Sequence, residues 1–485
     1  MYNATKDWGA VGASWLKLFN GRSFLPHLSR RIHLVALLLC AVAVCGSAAP
    51  TASTFTVPIT YYKLPNGLKV ALSRDTTAPL VVVAVYYNIG FRIEPKNRTG
   101  FAHLFEHLMF EGSKNLPKGE FDKLIEGNGG LSNGSTRFDF TNYYEVVPSH
   151  VLEEMLWGEA DRMKNLALTA ENLKNQQGVV GNEVKVNVLN QPYGGFPWLD
   201  MPQYANKNWF NAHNFYGELG DIEAATLKDA IDFSHTFYAP NNAAIALVGD
   251  FDEAQVKKWI DKYFSDIPQS KLPPKPDLTE PRQTEEQRFS KTDKLASKPA
   301  LAVAYHMPDR GAKEHYAMVL LDQILLQGED SLLTQELVKK LGYTDSVGGG
   351  INLLGNQFNY QGPMLWMANL IHDANVKPDQ ILSAMDSVIQ NVREHPVTQD
   401  QLNRALVKFR ANFYQGLTQF GGLGRADLMA SFALFDDNPA PINDLETNLR
   451  SVTPDLIQKT AQEFLRNTNR TILTIVPGAA KEGAK

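Results

Sequence analysis

The chain has 485 residues, 44% of them hydrophobic and 20% charged, an ordinary globular composition with material for two to four domain-sized units. Its formal net charge of -5, with no long run of one sign, gives no basis for nucleic-acid binding.

The first 50 residues differ from the rest. Arg30-Arg31 precede an apolar run from Leu34 to Val44, then small residues lead to Pro50. A basic flank, a short apolar stretch and small residues predict a signal peptide over 1–49, cut near Ala48 or Ala49. The run is too short for a comfortable membrane span, so the chain is expected to be exported without a stable anchor. Both cysteines, Cys40 and Cys45, fall in this segment. The mature chain then has neither disulfides nor thiolate zinc sites, and a metal must be held by His, Asp or Glu.

The mature part opens on a predicted hairpin, Tyr61–Leu64 and Leu68–Leu72, joined through Asn66-Gly67. A buried strand is expected over Leu80–Tyr87, helices over Phe101–Phe110 and Val151–Leu166, and a strand over Ala243–Val248. Proline, lysine and acidic residues dominate 267–284, which reads as a linker between an N-terminal domain, 50–266, and a C-terminal domain, 285–485. Beyond it the pattern repeats: strand Ala300–His306, helix Tyr316–Leu326, helix Gln380–Glu394, strand Thr471–Val476. The halves look duplicated, with His103, Glu106 and His107 falling opposite Val319, Asp322 and Gln323.

His103-Leu104-Phe105-Glu106-His107 places two imidazoles and a carboxylate on one helix face. A catalytic zinc needs three protein ligands and an open position, where it lowers the pKa of water toward ~7. A neighbouring carboxylate then takes the proton as that water attacks a carbonyl. The string is the inverted zinc motif.

Around it the sequence resembles the pitrilysin family, in its short bacterial and mitochondrial-processing-like branch. Arg98–Ala102 leads into the motif and Met109–Ser113 follows it as in that family; Gly129-Gly130, Asn133, Thr136, Asp139 and Thr141–Tyr144 match its substrate-side edge strand. Glu159–Met163 matches its next helix, and Val179–Glu183 the segment that carries a third zinc ligand about 75 residues after the motif. The resemblance implies one Zn2+ held by His103, His107 and Glu183, Glu106 as general base, and peptide contacts from Gly130, Asn133, Thr136 and Tyr144. Many relatives carry an acidic residue seven positions before the third ligand, supporting the histidines; here it is Gln176. Catalytic relatives also carry an Arg and a Tyr seven residues apart in the second half. Val338 and Asp345 stand there in this chain, and aligning Tyr343 instead puts Glu336 at the Arg position. In the family the zinc motif and that pair are sometimes divided between two subunits.

The expected fold is α+β: two homologous domains, each a mixed β-sheet with helices on one face, enclosing a cavity. The expected function is zinc-dependent endopeptidase action on short or unfolded peptides in the periplasm. The chain would be the zinc-bearing member of a hetero- or homodimer whose other chain carries the Arg/Tyr pair. The rival is a non-catalytic peptide-binding or assembly subunit of the same fold.

Overall fold

The Asn66-Gly67 step makes the turn its residue types favour, with Gly67 at φ 87°, where a Cβ would stand 2.8 Å from the Asn241 Cβ. It joins β1 (Thr60–Lys63) to β2 (Lys69–Arg74). The structure is a computed structural model that describes residues 55–478; the segment read as a signal peptide, with Cys40 and Cys45, lies outside them.

With β3 (Leu80–Tyr87), β4 (Leu131–Thr136), β5 (Thr141–Pro148) and β6 (Ala243–Gly249), these strands form one sheet in the order β1-β2-β6-β3-β5-β4. β7 (Gln287–Asp293), β8 (Ala300–His306), β9 (Gly348–Ile351), β10 (Leu365–Ile371) and β11 (Arg470–Pro477) form a second, ordered β7-β11-β8-β10-β9. Each sheet has one parallel pair, β2 with β6 and β7 with β11, and antiparallel neighbours elsewhere. The two orders superimpose strand for strand from β2 and β7 onward, so the duplication read from the sequence is a duplication of topology. Residues 265–286, between the sheets, carry no helix or strand.

Period-two alternation divides β3 between two cores. Val81, Val83, Val85 and Tyr87 pack with Phe101, Phe105 and Met155 from the helices of their own half. Val82, Ala84 and Tyr86 join Met429 and Phe432, on a helix of the other half, Leu423–Asp436. That helix lies across β3 and β6, and the short helix Asp200–Ala205 of the first half lies across β8 and β11 in return. There Met201 and Ala205 meet Ala302, Ala304 and Leu473. Each half therefore covers the open apolar face of the other's sheet with one borrowed helix. Each Val-sized side chain so covered is worth about 1.5–3 kcal/mol, and an isolated half would leave that face wet.

The stretch from Gly129 to Tyr144, matched above to one edge strand, holds a hairpin: β4 is the sheet edge and β5 lies inside it. Arg137 N donates to Phe140 O at 2.8 Å and closes the turn. Arg137–Phe140 holds no Gly, Pro or Asn to announce a reversal, and its one turn-favouring residue, Asp139, is buried against Arg92; the turn shifts the alternation by one residue, so Thr136 and Thr141 share a face.

Between the halves lies a cavity of about 760 Å³, lined by Arg137, Asn142 and Tyr144 of the first half and by Asp322, Asn359 and Asp427 of the second.

Candidate metal centre

The motif helix runs Phe101–Leu108 and starts at Gly100, whose φ of 80° and contact with Tyr216 O, 2.4 Å from where a Cβ would be, admit no side chain. Its first amides are satisfied by a buried carboxylate: Glu94 accepts from Gly100 N at 2.8 Å and from Ala102 N at 2.6 Å. Burial raises the Glu94 pKa, against the lowering effect of His213 and of those two amides. Phe101, Leu104, Phe105 and Leu108 anchor the helix in the core, which turns His103, Glu106 and His107 to its other face.

Glu183 comes from the last turn of a neighbouring helix, Ala170–Val184, packed against the motif helix. Thr169 caps that helix by accepting from Asn172 N at 3.0 Å, Leu173 and Val180 bury its inner face, and Gln177 donates to Ile222 O and Ala225 O. These contacts fix where Glu183 stands.

The structure brings the three residues together. His103 Nε2 and His107 Nε2 are 3.3 Å apart, and the Glu183 carboxylate is 3.6 Å from the first and 3.2 Å from the second. One donor atom from each lies within 4.8 Å of the others. His103 is 3% exposed, and burial, helped by the neighbouring His107, lowers its pKa to about 4, against the pull of Glu183. A neutral imidazole is the form that binds a metal. Burial also acts on Glu183, but His107, His103 and Tyr216 together outweigh it and hold the carboxyl below its usual range. Two imidazoles and a carboxylate form the donor set of a three-ligand zinc site, so the residues present fit the metal.

Glu106 lies on the same face. Its Oε2 accepts a 2.7 Å hydrogen bond from Thr136 Oγ1, and burial raises its pKa although Thr136 opposes the rise. Thr136, expected to contact peptide, is 2% exposed and turned to Glu106 instead. Asn133 is exposed on the β4 edge; Gly130 stands just before it, where a Cβ would come within 2.7 Å of Val147 Cγ1. Tyr144 lies on β5 opposite Asn133, half-buried at the cavity wall.

The Gln176 amide donates to Glu111. His103 Nδ1 is buried without a partner, so no acceptor among the described residues fixes that ring's tautomer. Tyr216, which no motif or spacing singles out, donates from its hydroxyl to Glu183 Oε1 at 3.2 Å and packs edge-on against His103. It lies 33 residues from Glu183 in no recognisable spacing. In the second half Val338 is half-buried and Asp345 exposed, and Tyr343 packs on the core, so that segment sends neither an Arg nor a Tyr into the cavity.

Residues 69–209 match the family model described as insulinase (peptidase family M16), and residues 224–408 the model described as peptidase M16 inactive domain. Zinc protease PqqE of Helicobacter pylori is 26% identical over 422 residues, which is 85% of this chain and 92% of that protein. The crystal structure of a protease from Helicobacter pylori superimposes with a TM-score of 0.81 at 25% identity, over 87% of this chain and all (100%) of that one. The periplasmic protease PqqL from Escherichia coli shares the fold, with a TM-score of 0.69 at 17% identity, over 89% of this chain and 49% of that one.

Proposed function

We propose, for a chain that belongs to the M16 or pitrilysin-like peptidase family, that it is a zinc endopeptidase cleaving short or unfolded peptides. One observation carries this reading: His103, His107 and Glu183 offer converging donors beside the buried carboxylate of Glu106. Zinc, when bound by those three, supplies Lewis-acid polarisation of a peptide carbonyl and acidification of water. Glu106 is the general base. Thr136 occupies its Oε2 and leaves Oε1 to receive the proton of the attacking water. The open edge of β4 takes up the substrate backbone as an added strand, a mode that reads extended chain rather than sequence.

The chain is further read as exported by a signal peptide over 1–49, with the zinc-bearing domain over 50–266, the linker over 267–284 and the second domain over 285–485. The relative described as a periplasmic protease supports the periplasm as its compartment. Val338 and Asp345 support pairing with a second chain that carries the Arg/Tyr pair. The same two residues, with the inactive-domain description of 224–408, favour the second reading, a peptide-binding subunit without turnover.

Replacing Glu106 by Gln separates the two. The peptidase loses about 10²–10⁴-fold in turnover of quenched extended peptides while keeping its zinc; a binding subunit keeps its function unchanged. Zinc-loaded parent chain that cleaves no peptide, alone or with a companion chain, would refute the peptidase.

A further inference from the structure

Along β4 the side chains divide by period two. Thr136 bonds Glu106, and a Cβ on Gly134 would stand 3.3 Å from Glu106 Cγ, so the even positions face the motif helix. Ser135 and Arg137 take the opposite side and line the cavity between the halves. Arg137 is the one Lys or Arg among the residues lining that cavity.

Its mount is rigid. The Arg137 amide donates to Phe140 O at 2.8 Å, and its carbonyl accepts from Phe91 N at 3.2 Å. Among the described residues its guanidinium makes no ion pair or hydrogen bond, because the neighbouring carboxylates are committed elsewhere. Asp427 accepts from Tyr86 Oη at 2.8 Å, from Asn356 at 2.6 Å and from Asn359 at 3.2 and 3.1 Å. Asp139 is paired with Arg92 at 3.2 Å and accepts from Gln361 N at 2.8 Å. Glu106 lies against the other face of β4, where Thr136 holds its Oε2. A half-buried cation has given up part of its hydration and has received no carboxylate in return.

We propose that Arg137 is the specificity residue of the peptide site, binding a carboxylate of the substrate where the chain lying along β4 sends a side chain or its C-terminus into the cavity. The inference rests on the peptide-binding reading of the β4 edge. In an added strand alternate side chains point to the two faces, so those not facing the motif helix face Arg137. Guanidinium and carboxylate match as a two-pronged pair; Asn142 and Asn359 of the same cavity are neutral, and its two carboxylates already have donors of their own, Asp322 from Trp366 and Gln327 and Asp427 from Tyr86, Asn356 and Asn359. The preferred substrates are acidic peptides or peptides with a free C-terminal acid near the cleaved bond.

The test uses the zinc-loaded full chain and quenched peptides that differ at one position flanking the cleaved bond, Glu, Gln or Lys, each made as the C-terminal acid and as the amide. The parent chain is expected to favour the carboxylate-bearing peptide about ten- to hundred-fold in kcat/KM, the range of a charge-assisted hydrogen bond. If the Glu/Gln ratio carries the preference, a side chain is bound; if the acid/amide ratio does, the C-terminus is. Arg137→Gln brings the ratio to about one, and Arg137→Glu turns it toward the Lys peptide. In parallel, peptide affinity is measured on Glu106→Gln and on Glu106→Gln/Arg137→Gln by fluorescence anisotropy. Acid-selective binding without parental turnover refutes the peptidase and leaves the subsite standing. Turnover with no acid preference, or a preference that survives Arg137→Gln, refutes the subsite and leaves the peptidase standing. Binding that ignores charge in both variants refutes the subsite as well.

Discussion

Thr136 Oγ1 donates to Glu106 Oε2 at 2.7 Å, joining the edge strand of the first sheet to the carboxylate of the metal motif. The hydroxyl is buried and has a weaker contact with Ala102 O at 3.4 Å, so orienting Glu106 is its main role. Thr136→Val keeps the shape and removes the donor. Turnover is expected to fall about 10–100-fold, the scale of a hydrogen bond to a charged group, with zinc content and KM little changed. Thr136→Ser restores most of it. A rise in KM at constant kcat would instead mean that Thr136 touches substrate.

Arg92 and Asp139, 3.2 Å apart and both almost fully buried, lie where the halves meet. Arg92 Nη2 also donates to Pro363 O at 2.7 Å, and Asp139 Oδ2 accepts from Gln361 N at 2.8 Å. Asp139→Ala strands a buried guanidinium and is expected to cost about 3–5 kcal/mol in urea unfolding. Arg92→Met/Asp139→Leu should recover most of that, since replacing both charges leaves nothing unpaired. Equal losses in the single and double variants would show that the pair contributes only packing.

Six strands, β1, β2, β3, β6, β8 and β11, were legible because their chemistry is local, whereas β7, β9 and β10 were not read. Leu80–Tyr87 and Ala300–His306 are apolar runs bounded by turn residues, and both fold over those limits. His103, Glu106 and His107 were legible because three residues within one helical turn must share a face. Glu183 needed the resemblance, since no local pattern ties an acidic residue to histidines some 75 positions earlier. Tyr216 and Glu94 escaped for the same reason, because their partners are set by tertiary packing, and the hairpin at Arg137–Phe140 escaped because its turn carries no Gly, Pro or Asn. The exchange of covering helices was invisible too, because Leu423–Asp436 shows only which residues are apolar, not which sheet they cover.

His103, His107 and Glu183 gather two half-buried groups and one buried ring around a space that a cation fits. Saturating zinc, at a thousand times its dissociation constant, is expected to stabilise the chain by about 4 kcal/mol, read as a rise in Tm that a chelator reverses. Glu183→Gln keeps the shape but removes the charge. It should lower zinc affinity, which competition with a chromogenic chelator reads, and shrink the Tm rise. Tyr216→Phe, which removes only the hydroxyl on Glu183, should weaken zinc less than Glu183→Gln does. An unchanged Tm with zinc in the parent chain would refute these ligands.

Asp322 falls opposite Glu106 when the two halves are aligned by their sequence pattern, and burial raises its pKa to about 6. The Trp366 indole, donating at 2.8 Å, opposes the rise, as do the Gln327 amide and the charge of Lys408. Unfolded, the carboxyl would titrate near 3.8, so between about pH 4 and pH 6 the folded chain holds a proton that the unfolded chain has released. Stability therefore falls as pH rises through that window, and the ionised carboxylate costs about 3 kcal/mol by pH 7. Asp322→Asn can still accept from Trp366 but has no charge to bury. Urea unfolding at pH 4, 5, 6 and 7 should show the Asn variant gaining on the parent by about that amount. A difference that stays flat across the four values would mean that Asp322 titrates as an ordinary carboxyl, and that the cavity floor is wetter than its burial indicates.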